Sequence, residues 1–382
     1  MRDRIHVLEL RSVWGTGGGP EKTILIGTER ATRSRFAVTV CYIRDARDPV
    51  FGIDKRASAL DIDYIEVRER HSFDRSIWGT LKSVVRERSI DIVHSHDYKT
   101  NLLAWLLSRR TDIIPLATSH GWSGFSAKER YVYYPVEKRL LARFPRVIAV
   151  SSRIKAELVG RGADPNRVTV LLNGIDPDAF RRRPETVAGI RADNGFDSGD
   201  IVLGAVGRLE REKRYDLLID AFARLAAAHP RLRLAFVGDG TLAGALKEQA
   251  QRLGVGDAVR FLGHRLDVAS LYHAFDLFVQ SSETEGTPNA VLEAMAMETP
   301  IVATDVGGTR EIAFPGEHAI IVAPLDVEAL SAGIERALAD AAGTAARAAA
   351  ARRRIETDLS FDARTRRLEA IYEELMAGVV HA

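Results

Sequence analysis

The stretch ETEGTPNAVLEAMA, residues 283–296, follows a short apolar run at residues 277–280 and sets a glycine-proline turn between two glutamates, Glu285 and Glu293. Pro288 suits the first turn of a helix beginning near residue 287, whose apolar face uses Val291, Ala294 and Met295. Glu285 then lies in the loop before the helix and Glu293 within it. The first backbone N–H groups of a helix have no partner inside it, so the donors near Thr287 to Ala290, those of Thr287, Asn289 and Ala290, outline a candidate anion site, with Gly286 and Pro288 shaping the turn around it. A phosphate fits there. A carboxylate accepts two hydrogen bonds at once, so Glu293 can grip a ribose diol while Glu285 meets a sugar. The plainer alternative is a glutamate at a helix N-terminus and another on its solvated face.

Outward from this stretch, short β-branched runs alternate with helical patterns. They lie at residues 5–10, 36–42, 90–94, 114–118, 147–150 and 168–172. After the polar stretch at residues 181–200 the pattern restarts at 201–206, 232–237, 258–262, 277–280, 301–304 and 319–322. This alternation predicts an α/β chain of two parallel-sheet domains, residues 1–184 and from 185 onward. Each half opens with a strand, a glycine-containing turn and a helical run. Open parallel sheets bind ligands at the carboxyl ends of their strands, where these turns lie. The alanine-rich residues 339–351 read as a plain surface helix.

A chain of 382 residues, 46% hydrophobic, is long enough for two cores. Its 54 Lys and Arg against 52 Asp and Glu give a formal charge of +2, which makes no global case for nucleic acid. Cys41 is the single cysteine, so neither an internal disulfide nor a thiolate zinc cluster can form. The N-terminus shows no signal-peptide core, and nowhere do about 18 uncharged apolar residues run together. A cytoplasmic protein is expected.

Three further constellations carry candidate chemistry. In VGRLEREK, residues 206–213, a strand ends in glycine and two cations, Arg208 and Lys213, precede a helix; a rigid fork and a mobile point charge suit adjacent phosphates. A solvated charged loop is the alternative. In SVWGTGGGPEKT, residues 12–23, Gly15, Gly17, Gly18 and Gly19 allow close backbone approach. Gly15 and Gly17 begin a G-x-G-x-x-G pattern with Asp45 as a ribose acceptor, but Pro20 stands where the last glycine belongs, which argues against a dinucleotide site. His94 and His96, followed by Asp97, have a metal-like pattern that lacks further placed ligands, and His120 beside Gly121 suits a hydrogen bond to a ligand.

Together these pieces resemble the retaining glycosyltransferases of family 4, which have the GT-B fold. The resemblance spans nearly the whole chain. It rests on GTGGGPE (15–21), HG (120–121), LLNGID (171–176), VGRLEREK, VGDG (237–240), FLG (261–263) and EGTPNAVLEAMAMETPIVATDVGGTREI (285–312) in this order. It implies two facing Rossmann-like domains with a deep cleft, the donor in the second (185–355), the acceptor in the first (1–184), and residues 356–382 forming a helix that returns to the first. It further implies that Arg208 and Lys213 hold the diphosphate of a nucleotide sugar, Glu293 its ribose and Glu285 its sugar near the reacting carbon. His120 would bond the transferred sugar, while Gly18 and Gly19 admit the pyrophosphate. No cofactor and no metal are expected. The acceptor would be a glycan or a lipid-linked sugar; an epimerase or a dinucleotide-binding protein is the alternative. Arg214 departs from the family's frequent glycine, and Thr287 from its frequent aromatic.

Residues 126–146 interleave Lys128, Arg130, Lys138, Arg139, Arg143 and Arg146 with Tyr131, Tyr133, Tyr134 and Phe144, a pattern suited to reversible contact with an anionic membrane surface. A helix packed on its sheet with a basic outer face gives the same pattern. Glu129 and Glu137 dilute the charge, and Pro135 is expected to interrupt the helix.

Overall fold

The computed structural model describes residues 4–71, 74–122 and 129–380, and the chain forms two compact units. The first comprises Met1–Gly174 with Phe361–Ala382, the second Ile175–Ser360. These limits differ from 184 and 355 for a local reason. Ile175 bridges to Ser360, and the Arg182 guanidinium donates to the carbonyls of Tyr272 and Phe275, so residues 175–184 are bound into the second unit.

The first unit is built on seven parallel strands: β1 (Ile5–Val13), β2 (Phe36–Asp45), β3 (Asp63–Glu69), β4 (Ile92–Ser95), β5 (Ile114–Ser119), β6 (Arg146–Ala149) and β7 (Val168–Val170). Their order is β3-β2-β1-β4-β5-β6-β7. β3 escapes the sequence reading because DYIEVRE alternates charges with apolar residues at a sheet edge, where charged side chains guard the open backbone. The helix Phe361–Val380 lays Leu368, Ile371, Tyr372 and Leu375 on Val7, Phe36, Ile92, Leu116 and Ile148, covering one face of this sheet. Cys41 is buried in β2, and burial pushes its thiol up to about 12, which leaves it unreactive.

The second unit has six parallel strands: β8 (Ile201–Val206), β9 (Leu232–Val237), β10 (Val259–Phe261), β11 (Leu277–Gln280), β12 (Ile301–Thr304) and β13 (Ile320–Val322). Their order is β10-β9-β8-β11-β12-β13. In each sheet the chain reverses its direction of build between two neighbours, β1 with β4 and β8 with β11. Ligand sites of open α/β sheets lie at the carboxyl ends of such pairs.

The alanine-rich helix, Ala341–Thr357, is not a plain surface element. It buries Ala348, Ala351 and Ile355, and Arg352 Nη1 reaches the carbonyls of Pro177, Phe180 and Ala296. Small alanines permit that close packing while leaving no apolar stripe to announce it.

Segment 126–146 presents only part of its basic side chains to the surface. Ser126 to Lys128 lie outside the described residues, as does the Arg130 side chain. Pro135 sits in the first turn of Tyr134–Leu141, directly after a π-helical turn at Glu129–Tyr133, so it marks a change of helix type rather than a break in the helical run. Lys138 is buried, its Nζ paired with Glu157 and 4.1 Å from the Trp122 ring centre. Glu137 is buried too, taking hydrogen bonds from Asn101 and Trp122, so neither charge serves the surface. Arg146 is tied to Thr169 and Glu374. Arg139 and Arg143 remain exposed, near exposed Tyr131, Val132 and Val136. Among the described residues no helix is long and apolar enough to cross a membrane.

Candidate active site

In the second unit the residues singled out from sequence gather beyond β8 and β11. After β8 the chain passes Gly207 and Arg208, makes a 3-10 turn at Arg211–Lys213, and enters the helix Tyr215–Ala226. Gly238, at the end of β9, lets the next loop close in: a Cβ there would lie 2.0 Å from the Gly207 carbonyl oxygen. That packing accounts for the glycine of VGDG, while Gly207 has its own positive φ of 148°. Arg214 follows Lys213 with left-handed φ of 48°. An L-residue pays about 1–2 kcal/mol for that conformation, which accounts for a glycine being frequent there. Arg214 is held in it by two hydrogen bonds to Asp216, of 3.0 and 2.9 Å, and one to Glu283.

Lys213 Nζ lies 2.6 Å from Glu285 Oε1. Ser282 Oγ donates to the same oxygen at 2.7 Å and Gln280 Nε2 at 3.3 Å. Burial alone would raise the Glu285 carboxyl; Lys213, Ser282 and Gln280 outweigh it and hold the group below the usual carboxylate range. The loop is pinned from behind. Gly308 N donates to Gly286 O at 2.7 Å, and Gly307, at φ 54°, has no room for a Cβ, which would fall 2.1 Å from Glu285 O. On the other side Ser281 Oγ donates to Lys213 O and Glu283 N to Glu212 O. Lysine and glutamate are thus positioned by one interlocked pair of loops.

The helix after this loop runs Asn289–Ala296, with Pro288 at its N-cap, one or two residues later than the sequence suggests. Pro288 and Ala290 line a small pocket with Lys213, Glu285, Gln280 and Ser282, so the helix N-terminus opens beside the ion pair. Thr287 is buried just before it. Glu293 lies one turn further in, where the Tyr272 hydroxyl donates to Ala290 O at 2.9 Å and reaches Glu293 Oε2 at 3.3 Å. Arg208 stands apart from the ion pair: its guanidinium is largely exposed and bonds Glu212 at 2.6 Å. Gln280, Ser282 and Tyr272 went unnoticed in the sequence, since they lie outside the charged motifs; only their place at or beside strand β11 marks them.

In the first unit, residues 15–19 follow β1. Gly18 is the N-cap and Gly19 the first residue of Gly19–Glu29, and the Gly18 amide donates to Glu21, whose other oxygen pairs with Arg11. The Gly18 donor is thus engaged by its own helix. Past β4 and β5, His96 Nδ1 lies 3.2 Å from His120 Nε2, and His96 Nε2 contacts Glu9 Oε2. Glu9 Oε1 meets His94 Nδ1 at 3.0 Å and Tyr372 OH at 2.7 Å, while His94 Nε2 bonds Thr118 Oγ1 at 2.7 Å.

The metal-like pattern changes membership. Asp97 caps the helix Tyr98–Ser108 through Lys99 N and Thr100 N and also takes Ser12 N, so it does not join the histidines. Glu9 replaces it: ligand atoms of Glu9, His94 and His96 lie within 4.8 Å of one another, all buried. Each of those atoms takes part in the hydrogen bonds just described. Glu9 escaped notice as one acidic residue in an apolar strand, IHVLELRSV.

Burial, then His94, pushes His96 down to about 4, with Glu9 opposing. His120 is likewise lowered, by burial and then by Arg11 and His96. The folded His96 refuses a proton that the unfolded chain accepts below its ordinary value near 6.5, so stability is present above that pH and is lost as pH falls toward about 4. His96 alone accounts for ~3 kcal/mol over that window. Urea unfolding at pH 7 and pH 4.5 should show the loss, and His96→Asn should remove the His96 share of it while that of His120 remains; an equal loss in the variant would refute the assignment.

Comparison with known proteins agrees with the geometry. Residues 17–179 match the family Glycosyltransferase Family 4 and residues 188–354 the family Glycosyl transferases group 1. The chain is 34% identical over 272 residues to putative glycosyltransferase EpsD of Bacillus subtilis, covering 68% of this chain and 71% of that one. It is 32% identical over 359 residues to a glycogen synthase of Mycobacterium tuberculosis, covering 88% and 81%. Among solved structures it is similar to HepE of Anabaena, crystallised with UDP-glucose, at TM-score 0.82 and 21% identity over 99% of this chain and all of that one. With two Rossmann-like units and these matches across both, the chain belongs to the family 4 glycosyltransferases of the GT-B fold.

Proposed function

We propose that this glycosyltransferase transfers a hexose from a nucleoside diphosphate sugar to a hydroxyl of a glycan or lipid-linked sugar, with retention of anomeric configuration and without a metal ion. The observation that carries the reading is the pair of Lys213 and Glu285 beside the N-terminus of Asn289–Ala296, with Glu293 one turn deeper. A cation and helix N–H groups suit a diphosphate, and two carboxylates suit the hydroxyls at either end of the donor. HepE, crystallised with UDP-glucose, favours that sugar nucleotide as the first donor to test.

In the proposed reaction the bond from the sugar anomeric carbon to the diphosphate breaks as the acceptor oxygen bonds that carbon on the same face. The acceptor proton leaves with the departing diphosphate. Lys213, Arg208 and the helix N-terminus offset the charge growing on that group. Glu285 steadies the sugar near its reacting carbon, Glu293 holds the ribose, His120 bonds the transferred sugar, and Gly18 with Gly19 lie against the pyrophosphate. Exposed Val136 and Arg139 on the helix Tyr134–Leu141, with exposed Arg143 just past its end and exposed Tyr131 and Val132 before it, support contact with anionic lipid that presents a lipid-linked acceptor.

Incubation with UDP-glucose and other sugar nucleotides, alone and with a lipid extract, tests this. Transfer requires the extract, survives EDTA, and gives a product whose anomeric proton coupling matches the donor's. Conversion of the donor without acceptor would indicate epimerisation, inversion would refute retention, and loss on chelation restored by manganese would refute metal independence.

A further inference from the structure

We infer that Glu9 and His96 are positioning residues that set the tautomer of His120, so that His120 meets a sugar hydroxyl through Nδ1 as an acceptor only. The contact of His120 with sugar rests on the proposed function; the tautomer does not.

Three neighbouring strands carry a chain of hydrogen bonds whose protons can be assigned in turn. Glu9 sits in β1, His96 just after β4 and His120 just after β5, neighbours in the sheet order. Glu9 is buried, yet His94 and His96 hold its carboxyl well below the usual range against the opposing effect of burial. An ionised carboxylate has only acceptors, so the nitrogen touching Glu9 Oε2, His96 Nε2, carries the hydrogen. A neutral imidazole has one donor and one acceptor, which leaves His96 Nδ1 bare. That bare nitrogen faces His120 Nε2 at 3.2 Å, so His120 Nε2 carries the hydrogen. Neutral His120 then has a bare Nδ1. The opposite assignment would need a neutral Glu9 whose Oε2 proton is donated to His96 Nε2, and the two donors converging on Oε1, Tyr372 OH and His94 Nδ1, favour the ionised carboxylate instead.

The other oxygen of Glu9 locks the direction of the chain. Oε1 receives the Tyr372 hydroxyl at 2.7 Å and His94 Nδ1 at 3.0 Å, and His94 Nε2 is satisfied by Thr118. With donors on both oxygens, the carboxylate cannot be replaced by an amide without reversing one side. This pattern uses the ligand atoms of Glu9, His94 and His96 as hydrogen-bond partners and leaves none for a metal.

Glu9→Gln tests the inference because it keeps shape and removes one acceptor. Two donors, Tyr372 OH and His94 Nδ1, meet the Oε1 position and one, His96 Nε2, the Oε2 position, so the amide oxygen takes the two-donor side and its NH2 turns to His96 Nε2. His96 must then carry its hydrogen on Nδ1 and donate to His120, whose own hydrogen moves to Nδ1. Long-range proton–nitrogen correlation on protein labelled with 15N-histidine, with the His120 signals identified by their loss in His120→Gln, reads this without substrate. Wild type should show His120 protonated on Nε2 and Glu9→Gln should show it protonated on Nδ1. Turnover should fall ~10- to 100-fold in Glu9→Gln with donor KM within about twofold, as for a mispositioned polar contact to substrate. His96→Asn, whose side-chain oxygen can still accept from His120, should keep the wild-type His120 tautomer.

Nδ1 protonation in wild type, an unchanged tautomer in a folded Glu9→Gln protein, or stoichiometric zinc displacing these hydrogen bonds would each overturn the proposal. If Glu9→Gln does not fold, the protonation state of His120 in the wild-type spectrum decides it. A swapped tautomer with unchanged turnover would overturn the functional half. Absence of transfer by any variant would instead refute the proposed function, with the tautomers still measured.

Discussion

Glu285→Gln is expected to lower turnover by ~10²- to 10³-fold, the scale of losing one electrostatic group aimed at a transition state. The substitution keeps the side chain's volume and a hydrogen-bond acceptor, so loss of charge is the main change. In the folded protein Glu285 is held ionised although buried, with Lys213, Ser282 and Gln280 converging on Oε1. On the proposed function, positive charge that develops at the reacting sugar carbon would lose the carboxylate assigned to steady it. Steady-state rates across donor concentrations check this, with kcat falling and donor KM changing little. Turnover within fivefold of wild type would remove Glu285 from the reaction.

Lys213→Ala should cost more than activity. Removing the ammonium leaves the Glu285 carboxylate buried with only Ser282 and Gln280, and breaking one side of a buried pair typically costs about 3–5 kcal/mol. Lys213 is 18% exposed and Glu285 12%, so solvent screening puts the expected loss at the lower end, ~3 kcal/mol. The carboxyl would rise from its lowered position toward the neutral form, so the variant should be relieved by acid where wild type is not. Turnover should fall together with donor affinity, because the charge on the leaving diphosphate grows in the transition state. Urea unfolding and initial rates read the two effects separately. A rise in KM alone would make Lys213 a ground-state contact.

Most of the fold is legible in the sequence for a simple physical reason. Strands buried on both faces must be apolar and β-branched, and twelve of the runs at residues 5–10 to 319–322 coincide with strands. β3 is the exception, because an edge strand carries charges that mask its periodicity. The helix Ala341–Thr357 misleads for the opposite reason: its buried face is made of alanine, and its anchor is an arginine. The charged site residues are legible because loops must present them, whereas Gln280, Ser282 and Tyr272 are ordinary residues made important by position. Glu9, His96 and His120 are 87 and 24 residues apart in successive steps, and only the order β1-β4-β5 brings them together. Lys138 illustrates the limit of helical spacing, which marks a basic side chain but not the Trp122 ring and Glu157 that enclose it.

On the proposed function, the second unit holds a sugar nucleotide between the loop of Lys213 and Glu285 and the helix bearing Glu293. Calorimetric titration of UDP-glucose into wild type and Glu293→Ala tests it most directly, with other sugar nucleotides titrated if wild type does not bind UDP-glucose. Tyr272 and the helix backbone keep Glu293 in place but do not depend on it for packing, so the variant should fold. Loss of a charged acceptor for two ribose hydroxyls should cost about 1.5–3 kcal/mol, or ~10- to 150-fold in affinity, with melting temperature nearly unchanged. Equal affinity of the two proteins for the donor that wild type binds would contradict the account.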